Sequence, residues 1–356
     1  MIPYYLLFII PIFTYSIESR TVTYQKKTKN ITISVFFLIF TVMLALRSIE
    51  CGVDLSNYKS YFNSVQNMSW QEIFNQDVET GYWVFQKLIS YITNDFNVFL
   101  TIVAIICLLP IWIYYKTESD FSLLTVILFI TVAPFSMFFS GLRQSIAMGV
   151  GILAWLCVKR KKIILFIITV LLAAAFHQSA IILLFLFPLY HIRITKNWII
   201  PVALVMLLIL AFNEQIFSFL ISFSERYDER YNSITQTGAF GTLALLVIFA
   251  VYSFLIPDEQ KMDKNTIALR NILLFSICVQ CFAPIHSLAM RMNYYFLLFI
   301  PILIPKIIKY RKDGLLKLTN VSVWIITVAF IGIFFYKAYF GEDILQIFPY
   351  VPYWSN

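Results

Sequence analysis

The sequence predicts an all-α protein, a polytopic transmembrane helical bundle of about 10–12 spans, and three observations carry that reading. Of the 356 residues, 60% are hydrophobic and only 13% charged, whereas a soluble domain runs nearer 45–50% apolar and about 25% charged. Mean hydropathy is +0.80, an excess that one globular core could not hide. The apolar residues also fall in separated runs long enough to approach a bilayer core of about 20 helical residues. Lipid-exposed backbone must bond internally, so these runs are read as helices. Soluble folds and disulfide-stapled secreted modules are excluded.

In order, the runs are 2–17, 31–47, 95–115, 121–139, 142–158, 163–176, 178–190, 197–220, 238–256, 268–289, 292–305 and 315–338. The first lacks a positive leader region and a small-residue cleavage site, so it is expected to be a span and not a cleaved signal. The whole chain, 1–356, reads as a single integral-membrane domain with no internal repeat. Loop 48–94 and a second loop, 221–237, lie outside the membrane. The long loop sets Glu50, Asp54, Glu72, Asp77 and Glu79 among many aromatic residues, and its apolar stretch 81–92 is too short to span. It is expected to carry short helices lying on the membrane.

Orientation follows from Lys and Arg. With an external N-terminus and twelve crossings, 19 of the 27 basic residues fall in cytoplasmic links, and acidic residues divide 12 outside to 7 inside. The net charge of +8 is therefore a topology signal and not a nucleic-acid footprint. Stretch 163–190 tests the scheme. Its 28 positions hold no charge besides His177, too few for two full spans. A single crossing, however, would drop the inside count to 13 against 14 outside. A short hairpin turning at Phe176-His177-Gln178-Ser179 keeps the bias.

Under this topology Arg47, Arg143, His177 and Arg291 collect at the outer ends of spans. For each arginine, snorkelling or a structural ion pair is the plain alternative. Together, beside a carboxylate-rich aromatic loop, they suit another chemistry. Guanidinium forks match phosphate oxygens, a carboxylate or histidine supplies a general base, and aromatic faces suit sugar rings. Glu214, near the outer end of its span, is expected to pair with one of these arginines or to cap a helix. His191 and His286 read as structural. Nucleotide cradles, H-E-x-x-H and G-x-S-x-G are absent. The five cysteines, the Cys278/Cys281 pair included, read as small buried hydrophobes. No metal or other cofactor is expected.

The run Arg47-Ser-Ile-Glu-Cys-Gly52-Val-Asp54-Leu-Ser-Asn-Tyr58 resembles the R…G-x-D…Y signature of EpsG-type membrane proteins. Further matches follow in the family's order: Glu79-Thr-Gly81-Tyr82, Gly141-Leu-Arg143-Gln144-Ser-Ile-Ala147, Phe176-His177-Gln-Ser179-Ala180, Arg291-Met-Asn-Tyr294-Tyr295-Phe296 and Phe348-Pro349-Tyr350. EpsG-type proteins are similar to Wzy polysaccharide polymerases. The resemblance implies a GT-C-like helical architecture in the bacterial cytoplasmic (inner) membrane, with the active face extracytoplasmic. It implies a metal-independent glycosyltransferase, a lipid-linked glycan polymerase acting on undecaprenyl-pyrophosphate-linked repeat units for exopolysaccharide, capsule or O-antigen. The partners implied are a lipid-linked glycan donor and acceptor, the bilayer, and a chain-length regulator and flippase of the same pathway, with no nucleic acid. Arg47, Arg143, Gln144 and Arg291, with Tyr58, Tyr82, Tyr294 and Tyr295, are expected to bind pyrophosphate and sugar. His177 is the first candidate base, because imidazole ordinarily titrates near 6.5; Asp54 and Glu79 come next. The alternative reading is a flippase for lipid-linked oligosaccharide. Candidate residues confined to one face and the lack of repeated halves weigh against it.

Overall fold

The computed structural model describes residues 1–21, 30–76, 79–222 and 239–355. Asp77 and most of the expected second loop, with Arg226 and Arg230, lie outside the described residues. Contacts divide the chain into two compact units, residues 1–184 with 320–356 and residues 185–319.

In the first unit, α1 (Ile2–Thr21) packs on α2 (Ile31–Leu46), and α2 on α6 (Phe96–Glu118) and α7 (Ser122–Thr131). The short α8 (Met137–Ser140) leads into α9 (Leu142–Lys159), which lies between α6 and α10 (Ile163–Phe176). The sequence's aromatic surplus has a use here. Phe36, Phe40, Phe129, Phe135, Phe138 and Phe139 interlock, with Phe40 stacked on Phe135 at 4.7 Å between centroids. Such pairs add roughly 0.5–1.5 kcal/mol beyond their buried area. The apolar run 121–139 is broken because Pro134 cannot continue α7.

Between α2 and α6 the expected loop carries three short helices, α3 (Leu55–Val65), α4 (Trp70–Phe74) and α5 (Thr80–Ser90). Ser69 and Glu72 form a reciprocal capping box at the start of α4. Asp95 accepts the Asn97 and Val98 N–H groups to start α6. Lys87 on α5 donates to the Val65 and Gln66 carbonyls, closing the end of α3. One face of α5, bearing Tyr82, Gln86 and Ile89, is buried at i, i+4, i+7 spacing.

The chain's last residues clasp the start of that loop. Ser48 N–H donates to Val351 O at 2.7 Å, and Val53 N–H to Leu345 O at 3.1 Å. Tyr350 donates to the Met43 carbonyl at 3.0 Å. This uses the terminal Phe348-Pro349-Tyr350 motif.

In the second unit α15 (Lys264–Gln280) is the centre, flanked by α11 (Leu186–His191), α12 (Ile199–Ala211), α14 (Phe240–Leu255), α16 (Ser287–Leu297) and α17 (Ile300–Lys309). Here the expected spans are redrawn. The run 197–220 is two helices, α12 and α13 (Asn213–Ser222), bent by 80°. The runs 268–289 and 292–305 become α15, α16 and α17, because Pro284 and Pro301 interrupt the helices there. Asp263 caps α15 through Thr266 N–H, and His286 caps α16 through Leu288 N–H. A buried polar chain, Ser276 to Asn293 to Gln280 to the Ala239 carbonyl, ties α15 to α16. Polar side chains bonded across helices are a usual glue in membrane bundles.

The last helix is α18 (Leu316–Phe340). Among the described residues, four helices are long and apolar enough to cross a bilayer unaided, six if each bent pair is one span, and five more apolar segments are shorter. The chain is a polytopic helical membrane protein.

Candidate functional site

The loop and the first unit bring five of the sequence-singled residues together around one carboxylate. Glu79 stands at the N-terminus of α5 with φ +54. This left-handed conformation is uncommon for a non-glycine residue and costs on the order of 1 kcal/mol. It is held by what the side chain does. Glu79 Oε2 lies 2.5 Å from Arg143 Nη1, and Oε1 lies 2.5 Å from His177 Nδ1. The Gln178 backbone N–H is a further donor to the carboxylate.

Each partner sits at a helix end. Arg143 is in the first turn of α9, where the helix dipole disfavours a cation; Glu79 offsets that. His177 follows the last residue of α10 with extended backbone, and a 3-10 helix, Gln178–Phe185, begins after it. The break falls at the four residues from which the hairpin turn was expected. Gly81 lets α5 approach α10 closely enough for the contact. A Cβ there would stand 2.8 Å from the Ala175 Cβ and carbonyl oxygen.

Burial by itself would raise the Glu79 carboxyl. The His177 hydrogen bond, the Arg143 guanidinium and the Gln178 N–H outweigh it and hold the group below the ordinary carboxylate range. Glu79 is therefore an anion that only accepts, so the proton on the His177–Glu79 contact belongs to Nδ1. The lone pair of Nε2 is left over; the atom is buried and has no hydrogen-bond partner among the described residues.

Tyr58 and Tyr82 are buried and wall the cluster, edge to face at 5.6 Å. The Arg143 guanidinium lies 5.8 Å from the Tyr58 ring centroid, and its Nε makes a long 3.4 Å contact with the Tyr58 hydroxyl. Burial pushes both phenols up, so they stay neutral donors. Asp54 joins through Ser140, whose hydroxyl donates to Asp54 Oδ2 at 3.2 Å just ahead of the Gly141-Leu142-Arg143 turn. Gly52, at φ +143, lets the loop press on the Phe139 carbonyl there. Gln144 is buried in the same helical turn as Arg143.

Other expected site residues are placed differently. Arg47 is 1% exposed, donates to the Leu44 carbonyl, and pairs by backbone with Pro352 under the C-terminal clasp. Arg291, Tyr294 and Tyr295 belong to the second unit, with Arg291 exposed and Tyr295 buried on α16. Glu214 is in the first turn of α13, and no ion pair to it forms among the described residues. Arg270, counted with the cytoplasmic links, lies inside α15, fully buried and paired with Glu259 at 2.5 Å. Two contributors escaped the sequence reading. Ser140 adjoins a quoted motif, and Gln86 repeats Tyr82's face four residues on, with both amide atoms buried and unpartnered among the described residues.

The motifs that build this cluster lie within a wider match, for the EpsG family model covers residues 30–353. The chain belongs to the EpsG family. EpsG is a Wzy-like polymerase family, so this is a membrane protein of polysaccharide biosynthesis and, in general terms, a glycosyltransferase-like polymerase. Comparison with curated proteins and with solved structures returns no match.

Proposed function

We propose that this EpsG-family chain polymerises undecaprenyl-pyrophosphate-linked oligosaccharide repeat units at the outer face of the bacterial cytoplasmic membrane. The observation that carries the reading is the divided carboxylate of Glu79, one oxygen on Arg143 and the other on His177. Such a carboxylate–imidazole pair fixes the ring's tautomer and orientation.

In the reaction, His177 Nε2 accepts the proton of the acceptor's sugar hydroxyl as that oxygen attacks the donor's anomeric carbon. The anomeric C–O bond breaks, and undecaprenyl pyrophosphate leaves with the electron pair. Arg143 is one-third exposed, so it presents guanidinium N–H groups beyond those facing Glu79. It stabilises the leaving pyrophosphate with the first-turn N–H groups of α9. Glu79 is a positioning residue and Asp54 orders the loop through Ser140. Tyr58 and Tyr82 hold Arg143 in place. Arg291, Tyr294 and Tyr295 remain the candidates for the rest of the lipid-linked substrate. A chain-length regulator and a flippase of the same pathway are the expected partners.

The test is the lipid-linked glycan profile of the source bacterium carrying His177→Ala, with membrane content checked by blotting. A general base is worth about 10²–10⁴ in rate. Normal protein with only single-repeat units, already outside, is therefore the expected result. Single units trapped inside would make the chain a flippase, and unchanged long chains would remove His177 from the chemistry.

A further inference from the structure

The second unit has a charged cleft that the chemistry above does not use. The link between α14 and α15 and the link between α17 and α18 are clamped to each other by backbone bonds. Asp258 N–H donates to Tyr310 O at 2.7 Å, Lys312 N–H donates to Ile256 O at 3.0 Å, and Pro257 pairs with Arg311. The clamp gathers the cations of both links around one cleft of about 410 Å³. Its walls include Lys261, Lys309, Arg311, Lys312, Asp313 and Leu316.

We propose that this cleft binds the phosphate headgroup of an anionic glycerophospholipid. Four cations and one carboxylate, the almost wholly exposed Asp313, line it, and Asp258 also reaches Lys261, so the cations outnumber the carboxylates four to two. Holding like charges together is unfavourable unless an anion joins them. Lys312 and Arg311 are fixed in place and keep donors to spare. Lys312 Nζ donates to the Leu255 carbonyl at 2.8 Å, which closes the end of α14, and an ammonium keeps two further donors. Arg311 donates from Nη1 to the Ile308 carbonyl at 3.3 Å and has a fork of other N–H groups suited to phosphate oxygens. Lys261 bridges Asp258 and Asp313 at 3.5 and 3.3 Å, tying the two links side to side.

The cleft's place favours a lipid over a soluble anion. It lies where four apolar helices end or begin, at Leu255, Lys264, Lys309 and Leu316. Leu316, half exposed, carries its wall into the apolar surface of α18. Basic pockets between helices at a membrane boundary are a recurrent headgroup site. The sequence treated these residues only as an orientation signal.

The experiment purifies the full-length protein in neutral detergent, offers equimolar phosphatidylglycerol and phosphatidylcholine, and quantifies the lipid retained after a second purification. The wild type is expected to hold phosphatidylglycerol in preference. Lys309→Glu with Arg311→Glu should reduce that preference at least about fivefold, the change expected per lost cation. Lys161→Glu with Lys162→Glu, on an exposed basic link of the first unit, should not. Should the reversed protein fail to stay monodisperse, Lys309→Gln with Arg311→Gln gives the same reading. Equal loss in both pairs of variants, no preference in the wild type, or displacement of the lipid by inorganic phosphate would each overturn the proposal.

Discussion

Two arginine–glutamate pairs, one in each unit, have the same 2.5 Å separation and opposite surroundings. Arg270 is fully buried, bonded also to the Ile194 carbonyl at 2.7 Å and lying 4.1 Å from the Phe254 ring centroid. This pair ties α15 to the link before it, although the Nε and Nη1 of Arg270 are buried without a hydrogen-bond partner among the described residues. Arg143 is one-third exposed, and the glutamate it meets is shared with a histidine whose second nitrogen has no partner among the described residues. An ion pair alone therefore says little. The two pairs differ in that the Glu79 carboxylate has a histidine as third member and its arginine reaches the surface.

Alanine at each arginine breaks the comparison most strongly. Arg270→Ala strands Glu259 and empties a sealed site, and removing one partner of a buried pair costs about 3–5 kcal/mol. Most of the protein should then be lost from the membrane, or should unfold at a clearly lower temperature in detergent. Arg143→Ala leaves Glu79 with His177 and the Gln178 N–H, so the protein should persist near the wild-type level while polymer disappears from the glycan profile. Equal loss of protein from both variants would mean that the Arg143 pair is merely another tie.

The sequence reading reached the members of the cluster and missed how they divide the work. Spacing along the chain identifies Glu79, Arg143 and His177 as separate polar residues at apolar borders. It cannot show that one carboxylate joins the other two, because their separations from Glu79, 64 and 98 residues, close only through the packing of α5, α9 and α10. The same limit let Arg47 pass as a site residue, since the clasp that covers it comes from the far end of the chain. The break at 176–179 is legible in the sequence, yet the runs 121–139 and 268–289 read as continuous across Pro134 and Pro284 because apolar composition outweighs them.

Gly81 was quoted as part of a motif, and its reason is visible only against Ala175. Gly81→Ala puts a Cβ 2.8 Å from the backbone of α10, and overpacking of this kind costs roughly 1–3 kcal/mol. It should also move Glu79 away from His177, so polymerisation should fall further than protein level does. Gly241→Ala meets nothing within 4 Å and serves as the silent control. Equal behaviour of the two variants would remove the close approach from the account.

The smallest effect, and the sharpest on charge, is the acid dependence of Glu79. Its carboxyl lies below the ordinary range in the folded protein because the His177 contact, the Arg143 charge and the Gln178 N–H outweigh burial. In the unfolded chain it returns to about 4.3. A group lowered by folding contributes stability that is complete above the unfolded value and disappears as pH falls through the folded one. Glu79→Gln keeps an oxygen for the imidazole and the N–H but drops the charge, so its cost near neutrality should be about 1 kcal/mol. Melting the two purified proteins side by side should show the wild type ahead at neutral pH, with the gap closing only as pH falls below the unfolded value. A gap that persists through that acid range would mean that shape, and not charge, holds the cluster together.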